Sequence, residues 1–129
     1  MTILDSSVWV ALFNEEDSQH RAAEITVADI KDDIFLPQFV IAEVCTVLTQ
    51  NRGKATANLF IERGLNATGA RLWSADEEIF TKLVKFYYQS PHPGLSFVDA
   101  ALLFLSSFYP VITFDKKLAK AIKRRPDLN

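Results

Sequence analysis

The sequence is poor in the residues that build disulfides, zinc sites and membrane spans. Cys45 is the single cysteine among 129 residues, which excludes a disulfide within the chain and a cysteine-based metal site. Neither of the two histidines has a partner at ligand spacing. No apolar run approaches the roughly 20 residues of a membrane helix, and no basic segment precedes an apolar stretch near the start, as in a signal peptide. We therefore expect a cytoplasmic protein with no membrane segment.

The charge is distributed unevenly along the chain. The net charge is only −2, yet residues 116–125 contain six lysines and arginines and no acidic residue. A basic segment on an acidic body can attract a polyanion. A solvated helix face, with cations favoured near the helix C-terminus, explains the same pattern equally well.

The hydrophobic pattern predicts an α/β fold. A chain of 129 residues that is 49% hydrophobic fits one domain over residues 1–129. The predicted strands cover residues 2–5, 34–36, 71–73 and 111–114. The predicted helices cover residues 7–13, 19–30, 39–50, 54–63 and 116–125. A further helix is predicted to start at 74–77, and another opens at 96–99 and continues over 100–108. Strands that alternate with helices indicate a parallel sheet with right-handed crossovers.

Several polar residues stand where helices should start. Ser18 is the predicted N-cap of the second helix. Capping-box spacing is found at Ser74 with Glu77 and at Ser96 with Asp99, and it predicts a helix start at each place. These assignments place Asp99 in the first turn of a very apolar helix.

Four carboxylates occupy positions that suggest a shared site. Asp5 and Asp115 each end an apolar strand, and ligands of parallel α/β sheets bind beyond the carboxyl ends of the strands. Each acid has a simpler explanation taken alone, because Asp commonly caps helices. Glu43 is different, since it lies among apolar neighbours on the third predicted helix, where a charge must be paired, neutralised or bound to a metal. A structural salt bridge to Arg52 or Arg63 is the alternative.

Four acids at one edge of a sheet point to a divalent cation. Neighbouring carboxylates raise one another's pKa unless a cation is present. Oxygen ligands select Mg²⁺, with Mn²⁺ as the alternative. Such an ion polarises a phosphoryl oxygen and activates a bound water. The chain has no GxxxxGK[ST] or GxGxxG motif for a nucleotide, so the pattern favours hydrolysis of a phosphodiester bond.

With these residues assembled, the sequence resembles the PIN-domain ribonucleases, in particular the VapC toxins of bacterial and archaeal toxin–antitoxin pairs. The resemblance covers essentially the whole chain and depends on four segments in order. These segments are Ile3-Leu4-Asp5-Ser6-Ser7, Ile41-Ala42-Glu43-Val44, Leu95-Ser96-Phe97-Val98-Asp99-Ala100 and Ile112-Thr113-Phe114-Asp115.

The resemblance implies a three-layer α/β/α domain with a central, mostly parallel sheet of four or five strands, and Mg²⁺-dependent endoribonuclease activity. Its catalytic and metal-binding positions correspond to Asp5, Glu43, Asp99 and Asp115. Ser7 and Thr113 occupy positions of hydroxyls that support the acids or metal-bound waters. Many family members carry a further acid soon after the fourth, whereas Lys116 and Lys117 follow Asp115 here, which leaves open one or two metal ions.

The resemblance also implies partners. These are an RNA substrate, a cognate antitoxin whose C-terminal segment fills the active-site groove, a homodimer, and a higher toxin–antitoxin assembly. RNA affinity depends largely on Lys and Arg, so the basic segment gains an RNA-binding interpretation. The residues assigned to it are Lys116, Lys117, Lys120, Lys123 and Arg124.

Several alternatives stay open at this point. The chain could be a PIN-fold RNA-processing nuclease without an antitoxin, or a non-catalytic module that binds RNA or protein. A receiver-type or phosphatase-like domain would need a second acid just after Asp5, where Ser6 and Ser7 stand. Aromatic residues could belong to the core or to a partner surface. Those left open in this way are Trp9, Phe13, Phe39 and Phe60.

Overall fold

A computed structural model describes residues 1–66 and 69–125. Its strands are β1 (Thr2–Leu4), β2 (Ile34–Pro37), β3 (Arg71–Trp73) and β4 (Val111–Ile112). Its helices are α1 (Ser6–Phe13), α2 (His20–Ala28), α3 (Gln38–Arg52), α4 (Lys54–Leu59), α5 (Glu77–Gln89), α6 (Phe97–Leu105) and α7 (Lys116–Arg124). A π-helical turn, Phe60–Gly64, extends α4. Strands and helices alternate as predicted.

The four strands form one sheet in the order β3-β2-β1-β4, and every pairing is parallel. In the centre, Ile3 lies opposite Phe35 on one side and Val111 on the other. The predicted parallel sheet is therefore confirmed, and the number of strands in the described residues is four. All four carboxyl ends lie at the same edge.

The strand order divides the helices into two layers. The chain moves from β1 outward to β2 and β3 and then returns across the sheet to β4. Because parallel crossovers are right-handed, α1–α4 cover one face, and α5 and α6, on the return connection, cover the other. Contacts agree with this division, since α1 packs on α2 and α3, while α6 packs on α5 and α7. The connections from β1 and β4 thus leave the sheet on opposite sides, which opens a crevice between their carboxyl ends.

The core lies between the sheet and α1, α3 and α6. Trp9 and Phe60 are completely buried, with ring centroids 5.5 Å apart in an edge-to-face arrangement. Phe13 and Phe39 are partly buried and pack against the same core. These four aromatic residues therefore belong to the core. No helix of the described ranges has the length and apolarity needed to cross a bilayer.

Two predicted helix starts are wrong. The N-cap of α5 is Asp76, whose carboxylate accepts from the Ile79 N–H, so Ser74 does not cap the helix. The N-cap of α2 is Gln19 rather than Ser18, and Asp17 accepts the Gln19 N–H at 2.8 Å. Asp76 therefore supplies the capping bond that the sequence pattern assigned to Ser74, whereas α2 has no side-chain capping bond.

Candidate active site

A pocket of about 390 Å³ lies at the carboxyl edge of the sheet, next to β1 and β4. It is formed by residues of α1, α3 and α6, the loop before α2, and the segment between β4 and α7. All four predicted catalytic acids line it. The complete lining is Asp5, Ser6, Ser7, Val10, Asp17, Gln19, Glu43, Val47, Ser96, Asp99, Phe114 and Asp115.

Asp5 is the buried centre of the pocket and is only 2% exposed. Its Oδ1 accepts from the Ser6 backbone N–H at 2.7 Å. Its Oδ2 accepts from the hydroxyls of Ser7 at 2.8 Å and Thr113 at 2.7 Å. Hydrogen bonds of this kind fix the orientation of a carboxylate. The two predicted supporting hydroxyls therefore contact this acid directly.

The same hydroxyls connect β1 to the segment after β4. The Ser7 Oγ accepts the Phe114 N–H at 3.0 Å, and the Thr113 Oγ1 accepts the Asp115 N–H at 3.0 Å. This bonding explains why β4 ends at Ile112, two residues earlier than predicted. The backbone N–H groups of Phe114 and Asp115 bind these hydroxyls instead of a neighbouring strand.

Glu43 reaches the pocket from α3, and the hydroxyl of Ser6 donates to its Oε1. The alternative salt bridge is not formed to Arg52, whose guanidinium pairs with Glu16 at 2.7 Å. In the described residues, Glu43 belongs to no ion pair. Ser6 lies between Glu43 and Asp5, so one hydroxyl connects two of the acids.

Three of the acids also begin helices. Asp5 caps α1, and Asp115 caps α7 by accepting the N–H groups of Lys117 and Leu118. Asp99 completes the predicted capping box of α6 with Ser96. The N-termini of three helices therefore point at the pocket, and their positive ends stabilise negative charge there. These three residues therefore both stabilise helix starts and line the pocket, two roles that the sequence left as alternatives.

The electrostatic environment disfavours the charged forms of two acids. Burial raises the pKa of Glu43, and the charges of Asp5, Asp99 and Asp115 raise it further, against the hydrogen bond from Ser6. Burial also raises the pKa of Asp99, with Asp5 and Asp115 adding to the effect. No lysine or arginine is among the residues that line the pocket. A cation would therefore stabilise this group of charges.

The donor set fits a hydrated hard cation. Within residues 1–66 and 69–125, no three acidic, histidine or cysteine side chains lie close enough together to enclose a metal ion directly. Mg²⁺ does not need such a cage, because it keeps several waters and binds one or two carboxylates. The pocket has the volume for those waters, and its carboxylate and hydroxyl oxygens are the ligands that Mg²⁺ and Mn²⁺ prefer.

Four polar residues of the pocket are absent from the sequence-based site, among them Ser96, which was predicted only as a helix cap. Asp17 and Gln19 belong to the loop between α1 and α2, and nothing in a polar loop shows which way it folds. Ser6 directly follows Asp5, and its hydroxyl reaches Glu43. The general rule that a first-turn serine is available for hydrogen bonding could have suggested Ser6.

The basic residues of α7 lie beside this pocket and do not line it. Lys117, Lys120 and Arg124 border a second hollow, which the loop at 92–95 completes. Lys123 borders a different hollow next to β4. Lys116 is exposed at the first position of α7.

A parallel α/β domain with a carboxylate-lined pocket at its strand ends is the architecture expected of a PIN domain. The PIN domain model matches residues 2–123, and the chain belongs to this family. Among solved structures, the fold is similar to that of VapC20 from Mycobacterium tuberculosis, which is described as a sarcin–ricin loop cleaving toxin. The TM-score is 0.80 at 21% identity, over 94% of this chain and 95% of that one. No curated protein matches the chain.

Proposed function

We propose that the protein is a metal-dependent endoribonuclease that acts as the toxin of a VapBC-type pair. The observation that carries this proposal is that the four predicted catalytic carboxylates, from four separate parts of the chain, line one pocket that has no basic side chain. Membership of the PIN family supports nuclease activity. The shared fold with a toxin that cleaves RNA supports the toxin role.

Asp5, Glu43, Asp99 and Asp115 are the residues that would hold Mg²⁺, with Mn²⁺ as the alternative. When bound there, such an ion would lower the pKa of a water ligand and offset charge on the phosphate. Asp5 is oriented by the hydroxyls of Ser7 and Thr113. The hydroxyl of Ser6 holds Glu43 toward the same centre. The side chains thus provide positioning and charge, and the reaction needs no protein nucleophile.

A cognate antitoxin and a homodimer belong to the same proposal. The exposed side of α5 supports a protein partner, because it presents an apolar stripe. Its members are Phe80, Val84, Tyr87 and Tyr88, of which Tyr88 is 86% exposed. Contiguous exposed apolar surface of this kind is typical of protein interfaces. A small upstream reading frame encoding a DNA-binding N-terminal segment would support the antitoxin, and its absence would favour an RNA-processing nuclease.

The first test compares two aspartates whose side chains each accept a backbone N–H at the start of a helix. Asp99 accepts from Ser96, and Asp76 accepts from Ile79. Asp99→Asn removes one charge from the pocket, and the side-chain oxygen of Asn can still accept the Ser96 N–H. We expect cleavage of RNA with Mg²⁺ to fall more than about 100-fold, because even outer-shell partners of metals contribute 10–100-fold. Asp76→Asn is the matched control, since Asp76 caps α5 away from the pocket, and it should cleave normally.

Metal binding gives a second measurement that does not depend on cleavage. Mg²⁺ should raise the melting temperature of the wild-type protein, by an amount equivalent to about 2.7 kcal/mol at 100 times the dissociation constant. The shift should be smaller in Asp99→Asn and unchanged in Asp76→Asn. Full cleavage by Asp99→Asn, or an unchanged Mg²⁺ shift, would contradict the assigned site.

A further inference from the structure

The hollow beside α7 is built from two segments that are distant in sequence. Lys117, Lys120 and Arg124 follow one another at helical spacing and face the loop at 92–95 across a space of about 300 Å³. Leu95 and Ala121 give the hollow an apolar part, while His92 and Pro93 lie at its exposed rim. Cationic groups and an apolar surface therefore share one concavity.

The position of Gly94 brings the loop close to a cation. A Cβ atom at Gly94 would lie 3.5 Å from the Lys117 Nζ, so the amine is held over the backbone of the loop. In the part of the chain that the structure describes, Lys117, Lys120 and Arg124 form no ion pair. Three cations without a carboxylate partner in that range attract an anion.

The hollow adjoins the carboxylate pocket at two places. Leu95 borders the hollow and its neighbour Ser96 borders the pocket. Lys117 borders the hollow, and its N–H donates to Asp115 Oδ1 at 2.8 Å. An RNA strand whose reacting phosphate lies over the carboxylates would therefore pass directly across the three cations.

We propose that this hollow, defined by Lys117, Lys120, Arg124 and the loop at 92–95, binds one backbone phosphate of single-stranded RNA next to the bond that is cut. The ribose or base of that nucleotide rests on the apolar part of the hollow. This inference rests on the proposed nuclease function and narrows the RNA-binding assignment to one face of α7. Lys116 and Lys123 lie outside this subsite.

The test uses two double variants of equal charge. Lys120→Gln with Arg124→Gln removes two cations from the hollow, and Lys116→Gln with Lys123→Gln removes two from the rest of α7. All four positions are exposed, so both variants should fold, which circular dichroism checks. Both are made in the full chain carrying Asp99→Asn, and binding to a fluorescent single-stranded RNA is measured in EDTA over a range of salt concentrations.

We expect the hollow variant to bind RNA roughly tenfold more weakly than its parent, and the control variant to stay within about twofold. Loss of one phosphate contact should also reduce the slope of log K against log salt by about 0.7 for a single strand. Equal losses in both variants, or no RNA binding by the parent, would overturn the proposal. Unchanged RNA binding with weakened antitoxin binding would assign the hollow to a protein partner instead.

The cleavage assay separates this inference from the proposed function. If the protein cleaves RNA but the two double variants bind RNA equally well, the proposed function stands and the phosphate subsite is wrong. If the protein binds RNA through the hollow but cleaves none with Mg²⁺, the phosphate subsite stands and the proposed nuclease function is wrong.

Discussion

Replacing Thr113 by valine should destabilise the protein measurably, because one hydroxyl joins two parts of the site. Its Oγ1 donates to Asp5 Oδ2 at 2.7 Å and accepts the Asp115 N–H at 3.0 Å. Valine has nearly the same shape, so the change removes these two bonds with little effect on packing. A hydrogen bond to a charged group contributes about 1.5–3 kcal/mol and a neutral one about 0.5–1.5 kcal/mol.

Because Thr113 is only half-buried, water can replace part of this bonding, and we expect a loss of about 2 kcal/mol. For a chain of this size, that corresponds to roughly 6–10 °C in melting temperature. Urea unfolding should show a lower midpoint with an unchanged m-value. Mg²⁺ affinity should also fall, since Asp5 loses one of the groups that orient it.

Thr113→Ser is the matched control, because it keeps the hydroxyl and removes only a methyl group. It should retain most of the stability and the metal affinity. A loss below about 0.5 kcal/mol in Thr113→Val, or an equal loss in Thr113→Ser, would refute the assignment of the effect to these hydrogen bonds.

Two further predictions concern charge and assembly. The folded protein binds the Glu43 proton more tightly than the unfolded chain, so the metal-free protein should lose stability as pH rises from about 4.5 through the raised pKa. Glu43→Gln should therefore make the melting temperature in EDTA less dependent on pH and higher at pH 7. Glu15→Gln, an exposed control, should change neither. A steeper dependence of the melting temperature on pH in Glu43→Gln would contradict this prediction. The full chain should sediment as a dimer. The Val84→Lys variant, which changes the exposed stripe of α5, should sediment as a monomer. A wild-type protein that is monomeric at all concentrations would exclude the dimer.

Much of the fold follows from local patterns that the sequence states directly. Apolar segments predict all four strands, and Gly53, at φ 98°, ends α3 as expected. The capping box at Ser96 forms with both of its hydrogen bonds. These features depend on neighbouring residues, so tertiary contacts had little opportunity to change them.

The arrangement of the site was only partly predictable. A carboxylate at the end of a parallel strand faces a known edge of the sheet, which is why Asp5 and Asp115 could be placed together. The direction of the loop that contains Asp17, and the contact between Ser6 and Glu43, depend on packing between elements distant in sequence. Sequence patterns carry no signal for the direction of the loop, and for Ser6 they give only the general tendency of a first-turn serine to form hydrogen bonds.

The double role of Asp5, Asp99 and Asp115 affects how inactive forms of the protein can arise. Alanine at Asp5 or Asp115 would also remove an N-cap, at a cost of about 1 kcal/mol, and alanine at Asp99 would break the capping box of α6. Each change would reduce abundance together with activity. Asparagine at Asp99 or Asp115 keeps an oxygen that accepts the same backbone N–H groups and removes mainly the charge. At Asp5 the amide nitrogen would also replace an oxygen that accepts hydrogen bonds. Inactive variants that persist in a cell at normal levels should therefore carry asparagine at position 99 or 115. They would still bind any inhibitor that recognises the folded surface.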